Sequence, residues 1–118
     1  MKWINIIGDD SLSLDSIRNM KHTGAVRAYD ISSDRYCIEY PNGHIFYDFD
    51  ADLTDFQDVI GLLPFEPAAV ITMIYKKATE CRNELIQPDF PQNGYVDNDS
   101  GIVLPLNEYI AIGMPMDE

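Results

Sequence analysis

The sequence predicts an α+β fold, with an antiparallel or mixed sheet of about six strands and helices packed on one face. Three features point there. Two runs of β-forming residues flank Asn42-Gly43, the strongest short hairpin signal. Further strand runs adjoin them, whereas a doubly wound parallel fold would alternate strand and helix more strictly. Apolar residues between Asp52 and Leu63 keep helical spacing. The 118 residues suit one domain, spanning 1–118, and a 46% hydrophobic content supports a core without metals or disulfides.

Each element has its own signal. Trp3 to Ile7 reads as a short strand. Ser11 or Ser13 caps a first helix that places Leu14, Ile17 and Met20 on one face. Arg18, Lys21 and His22 lie at its end, where positive charge suits the helix dipole, and Gly24 stops it. Val26 to Ile31 forms a strand that turns through Ser32-Ser33-Asp34. Arg35 to Tyr40 and His44 to Phe49 then pair. With Asn42-Gly43 as a two-residue turn, Tyr40 faces Ile45, Ile38 faces Tyr47 and Tyr36 faces Phe49, which puts six apolar or aromatic side chains on one face. The other face pairs Arg35 with Asp50 and Cys37 with Asp48. A one-residue slip would destroy this sorting.

Asp52 to Leu63 reads as a helix with Leu53, Phe56, Ile60 and Leu63 toward the sheet. Ala68 to Tyr75 is rich in β-branched residues and reads as a buried strand. Thr79 caps a helix running to Gln87, which Pro88 ends. Tyr95 to Asp97 and Ile102 to Leu104 form a second hairpin around Asn98-Asp99-Ser100-Gly101. Asn107 to Ile112 makes a last helical turn, and Gly113 to Glu118 reads as a frayed tail.

Twenty acidic and eight basic residues give a net charge of −12. That field repels phosphate, which argues against DNA, RNA and anionic membranes as partners and favours a basic protein. Negative charge also keeps a small protein in solution. The charge is uneven along the chain. Between Arg35 and Lys76 there is no Lys or Arg, yet Glu39, Asp48, Asp50, Asp52, Asp55, Asp58 and Glu66 fall there. Asp52, Asp55 and Asp58 step by three along the predicted helix, opposite its apolar stripe. From Asn83 onward there are seven acidic residues and no basic one. The candidate partner-binding residues are therefore Asp48, Asp50, Asp52, Asp55 and Asp58. Tyr95, in the loop-rich last third, joins them because tyrosine is favoured at interfaces.

Other chemistries lack their residues. Cys37 and Cys81 fit neither a disulfide framework nor a zinc site and read as buried thiols. Asp48, Asp50 and Asp52 alternate, and Asp97 and Asp99 precede Gly101 with Glu108 beyond. Both sets miss the glycine position of a calcium loop. Neither a Gly-x-Ser-x-Gly elbow nor a glycine-rich phosphate loop is present. Cys37 and His44 share a hairpin but stand apart along the ladder. No catalytic, metal-binding or cofactor-binding set emerges. The first apolar run is too short for a signal peptide and no stretch reaches membrane-spanning length, which places the chain in the cytoplasm.

One compact acidic α+β domain without an active-site motif, carrying the stretch Tyr95-Val-Asp-Asn-Asp-Ser-Gly-Ile-Val-Leu-Pro-Leu-Asn-Glu-Tyr-Ile110, resembles in profile the small immunity proteins that bacteria pair with secreted or contact-delivered toxins. The resemblance implies a non-enzymatic inhibitor that blocks a cognate toxin, often a basic nuclease, by covering its active site. That class is diverse in fold, so it transfers no functional residue. Two alternatives stay open: a small ligand-binding or enzymatic domain with a pocket between sheet and helices, and a structural subunit or homodimer.

Overall fold

A computed structural model describes all 118 residues. Seven strands form one sheet, β1 (Lys2–Gly8), β2 (Arg27–Ser32), β3 (Arg35–Tyr40), β4 (Gly43–Asp50), β5 (Ala69–Tyr75), β6 (Tyr95–Asp97) and β7 (Val103–Pro105). Their order is β2-β3-β4-β5-β1-β6-β7, and every neighbouring pair is antiparallel. Four helices accompany them: α1 (Leu14–Arg18), α2 (Gln57–Ile60), α3 (Ala78–Leu85) and α4 (Leu106–Ala111). The fold is α+β, as the sequence predicts, with seven strands where about six were expected.

Strand β1 lies between β5 and β6, so both its edges are paired and its residues alternate between two covered faces. Ile4 and Ile6 point into the main core with Tyr36, Ile38, Ile45, Tyr47, Ile71, Met73 and Val96. Helices α1, α3 and α4 close that face through Leu14, Ile17, Ala78, Cys81, Leu85, Leu106 and Tyr109. Each fully buried Ile there contributes about 1.5–3 kcal/mol. Ile7 and Val70, opposite each other in register, point to the second face and are also buried.

The segment between β4 and β5 departs from expectation. Asp52 to Leu63 gives a short 3₁₀ turn (Thr54–Phe56) running into the single-turn α2, and none of the residues in either is buried. Asp52 starts the turn by accepting the N–H and hydroxyl of Thr54 at 3.1 and 2.6 Å. The piece lies on the second face, where Phe56 and Val59 line one cleft with Trp3 and Ile74. The helices therefore divide, three on one face and this short one on the other.

The hairpin register is offset by two residues from the expected one. Ile38 faces Ile45, Tyr36 faces Tyr47 and Arg35 faces Asp48, with Tyr40 opposite Gly43. Pro41 explains the offset. Its fixed φ near −65° suits the first central position of a turn, and it has no N–H to give the ladder. Pro41-Asn42 is thus the two-residue loop. Because the offset is even, the six aromatic and aliphatic side chains still share one face. Gly43 lies under the Glu80 carboxylate, which would have to swing aside for a Cβ.

Smaller differences lie at helix starts. Ser13 occupies the N-cap position of α1 without a capping side-chain bond. Lys77, not Thr79, precedes α3. No helix is long and apolar enough to cross a membrane. The segment after α4 is pinned rather than frayed, as described below.

Candidate functional site

The second face of the sheet carries a cleft of about 270 Å³ between β1, β5 and β6 below and the Thr54–Ile60 segment above. Strand register builds its floor. Trp3 faces Ile74 across β1 and β5, and one row along, Asn5 faces Thr72 on one side and Asp97 on the other. The first row is apolar and the second polar. The Thr72 hydroxyl donates to Asn5 Oδ1 at 2.8 Å, and Asn5 Nδ2 donates to Asp97 Oδ2 at 3.4 Å. Asn5 and Asp97 are only 4% and 5% exposed, so this row is a rigid polar base rather than solvated surface.

Four carboxylates line the cleft: Asp55 and Asp58 from the overlying segment, Asp97 from β6 and Asp99 from the β6–β7 turn. None of the lining residues is Lys or Arg. The turn holds Asp99 firmly. Its own N–H donates to Asp97 Oδ1 at 2.9 Å, and Asn98 Oδ1 accepts the N–H groups of Ser100 and Ile102 at 3.0 and 3.1 Å. Asp99 has φ 59°, a left-handed conformation that Asp tolerates better than most residues. Trp3 stands at the rim, 46% exposed, beside half-buried Phe56 and Ile74. The cleft therefore offers negative charge, an aromatic face and an apolar wall together. That combination suits a cationic side chain with an aliphatic stem.

The sequence-based candidates divide. Asp55 and Asp58 line the cleft. Asp48 pairs through both oxygens with Arg35, at 2.6 and 2.7 Å, and the guanidinium rests on Phe46. Its charge is neutralised locally. Asp50 accepts the N–H of Asp52 at 2.8 Å, and Asp52 serves the Thr54 turn, whose bonds lower its pKa. These three shape the approach to the overlying segment and do not line the cleft. Tyr95 packs against Phe65 at 5.5 Å between ring centres, half buried. Trp3, Asp97 and Asp99 were not among the candidates. Trp3 sits inside a strand pattern, and Asp97 and Asp99 enter the sequence reading as a calcium-loop set that misses its glycine. Their spacing and the acidic stretch without Lys or Arg are the sequence signals for these two.

The other chemical groups are accounted for structurally. Cys37 is buried opposite Phe46, and burial raises its thiol pKa. His44 packs on Phe46 and lies opposite Glu39, so no Cys–His pair forms. No group of three His, Cys, Asp or Glu side chains is placed to hold a metal ion.

On the main-core face, a fully buried carboxylate anchors α3. Glu84 accepts hydrogen bonds from Tyr47 (2.6 Å) and His22 Nδ1 (2.7 Å) at Oε1, and from Tyr40 (2.6 Å) and Gln87 (3.0 Å) at Oε2. His22 Nε2 meets the Ile17 carbonyl at 2.7 Å. The Ile17 carbonyl can only accept, so Nε2 carries a proton, and with Glu84 ionised Nδ1 donates as well, which makes the pair imidazolium and carboxylate. Burial opposes the charge on each. For His22, the Glu84 hydrogen bond and charge outweigh it and raise the pKa. For Glu84, the donors His22, Tyr40 and Tyr47 outweigh it and lower the pKa. Every polar atom of this cluster has its partner, which marks it as architecture rather than a reactive site.

Comparison with protein-family models, curated proteins and solved structures gave no match for this chain.

Proposed function

We propose that this chain is a protein-binding inhibitor that seats a basic partner on the cleft, acting as an immunity protein acts on its cognate toxin. The observation that supports the reading best is the cleft's composition: Asp55, Asp58, Asp97 and Asp99 converge beside exposed Trp3 with no basic residue among them. Carboxylates of this kind speed encounter and orient the partner, while an aromatic anchor holds it. The net charge of −12 extends the attraction beyond the cleft. The buried polar base under Asp97 supplies rigidity, so little ordering cost opposes binding.

The test is co-expression with the product of the adjacent reading frame. The expected result is a one-to-one complex in which that protein's activity is silenced, with affinity that falls on raising salt. Absence of a complex, or one indifferent to Asp55→Lys/Asp58→Lys, overturns the reading.

A structural-subunit reading draws on a separate observation. Strand β2 is a sheet edge whose flanking Val26 and own Ile31 are exposed, an arrangement that invites strand pairing. Sedimentation at increasing concentration distinguishes the two, since edge pairing would give a dimer that Ile31→Lys abolishes.

A further inference from the structure

The residues after α4 reverse direction through Gly113 and Met114, both in left-handed backbone with φ 93° and 56°. Glycine takes this conformation freely, but Met114 carries a Cβ and is held there against its preference. Its own N–H bonds to the Tyr109 carbonyl at 3.0 Å, and further anchors follow. The Met114 carbonyl accepts from Arg82 Nε at 3.0 Å. The Pro115 carbonyl accepts from Asn98 Nδ2 at 3.1 Å and from the Tyr109 hydroxyl. The Asp117 carbonyl accepts from the Tyr75 hydroxyl at 2.8 Å, and Arg82 Nη1 reaches both Glu118 carboxylate oxygens at 3.0 and 3.1 Å.

Four side chains from α3, β5, α4 and the β6–β7 turn thus converge on one short segment. The attachment is one-sided. It runs through carbonyls and one carboxylate, and no backbone N–H beyond Met114 bonds to the fold. Met114 and Met116 pack on the core only partly buried, and Asp117 and Glu118 are exposed. A segment with few apolar contacts, one-sided hydrogen bonds and a strained hinge sits at the low end of local stability.

Its position matters. Asp117 lines a cavity of about 190 Å³ with Lys2, Trp3 and Asp99, so this cavity shares Trp3 and Asp99 with the acidic cleft. Trp3 is a ridge between the two.

We propose that residues 114–118 form a releasable strap that walls one side of the Trp3 ridge, and that strap docking and cationic-partner binding favour each other. The first half stands on the strap's own contacts, and the second half rests on the cleft reading above. A cation seated at Trp3 and Asp99 is attracted to Asp117 only when the strap is down, where Asp117 also offsets the repulsion from Lys2 in the same cavity, and by reciprocity the docked strap strengthens binding.

The experiment uses the full chain with Tyr75→Phe/Tyr109→Phe, which keeps both rings and removes two anchoring hydroxyls. Heteronuclear NOE values at residues 116–118 report strap order, emission of Trp3, the single tryptophan, reports its wall, and titration with a hexa-arginine peptide at low salt reports the cleft. In the parent chain residues 116–118 should show the NOE values of a docked segment, somewhat below those of β1. In the variant their order should fall, the emission should shift, and peptide affinity should drop by about five- to tenfold, the low end of typical coupling. If amide protection in β1 and β5 shows the double variant misfolded, Tyr75→Phe alone replaces it. Unchanged order at 116–118, or emission that ignores their release, overturns the strap. Equal peptide affinity in both chains overturns the coupling and leaves the cleft. Failure of the peptide to bind the parent chain counts against the cleft, and order and emission then judge the strap alone.

Discussion

Replacing His22 by Asn removes the positive charge from the buried pair while keeping a residue that tolerates left-handed backbone, which position 22 adopts with φ 51°. Glu84 is fully buried and His22 is 4% exposed, so water cannot compensate the orphaned carboxylate. Breaking such a pair costs about 3–5 kcal/mol. Tyr40, Tyr47 and Gln87 still donate to Glu84, which favours the lower end, about 3 kcal/mol. For a domain of this size that corresponds to a melting temperature lower by roughly 10 °C. Urea unfolding followed by Trp3 emission should show a lower midpoint at unchanged slope.

The pH dependence gives a second, signed test of the same pair. His22 has a folded pKa above its ordinary 6.5, so its contribution is complete below 6.5 and fades as pH rises through the folded value. Glu84 has a folded pKa below its ordinary 4.5, so its contribution is complete above 4.5 and fades as pH falls through the folded value. The stability difference between parent and His22→Asn should therefore be largest between about pH 4.5 and 6.5 and shrink above that window. A loss under about 1 kcal/mol, the scale of an exposed pair, or a difference independent of pH would refute the buried-imidazolium account.

Four further outcomes follow from packing, charge and the proposed partner site. Gly94→Ala should destabilise by about 1–3 kcal/mol, because its Cβ would press at 2.8 Å on Ile6, itself locked in the core. Gly61→Ala, with open space around it and ordinary helical backbone, should instead be neutral or stabilising by up to about 1 kcal/mol in the same urea assay. Asp48→Asn should cost less than about 1 kcal/mol, since the Arg35 pair is part-exposed. Trp3→Ala should weaken partner binding by about 2 kcal/mol, read by titration calorimetry, while leaving a folded protein.

The fold was legible where local chemistry and tertiary context agree. The hairpin aromatics announced their shared face through alternation alone, and an even register error left that sorting intact. The register itself depended on whether Pro41 or Gly43 entered the turn, a choice set by Pro41's locked φ and missing N–H. The Asp52–Leu63 pattern satisfied helical spacing. Spacing cannot say which face of a sheet a segment covers, however, and this one caps the second face as a 3₁₀ turn and a single helical turn. The buried pair was invisible because His22 looked like a dipole-matched helix end, and Glu84 was one acid among twenty. Of the site, Asp55 and Asp58 could be read from charge runs. Trp3, Asp97 and Asp99 join them only through pairing of β1 with β5 and β6, strands far apart in the chain.

The most direct measurement compares association rates for two charge-swapped chains with the same basic partner across ionic strength. Asp55→Lys/Asp58→Lys alters the cleft, and Asp34→Lys/Glu108→Lys, at two exposed positions outside it, makes the same change in net charge. The cleft account predicts that the first pair slows association roughly tenfold or more at low salt, converging with the parent at high salt, while the second has a clearly smaller effect. Equal slowing by both pairs would show that overall charge attracts the partner, and the cleft would have no special part in recognition.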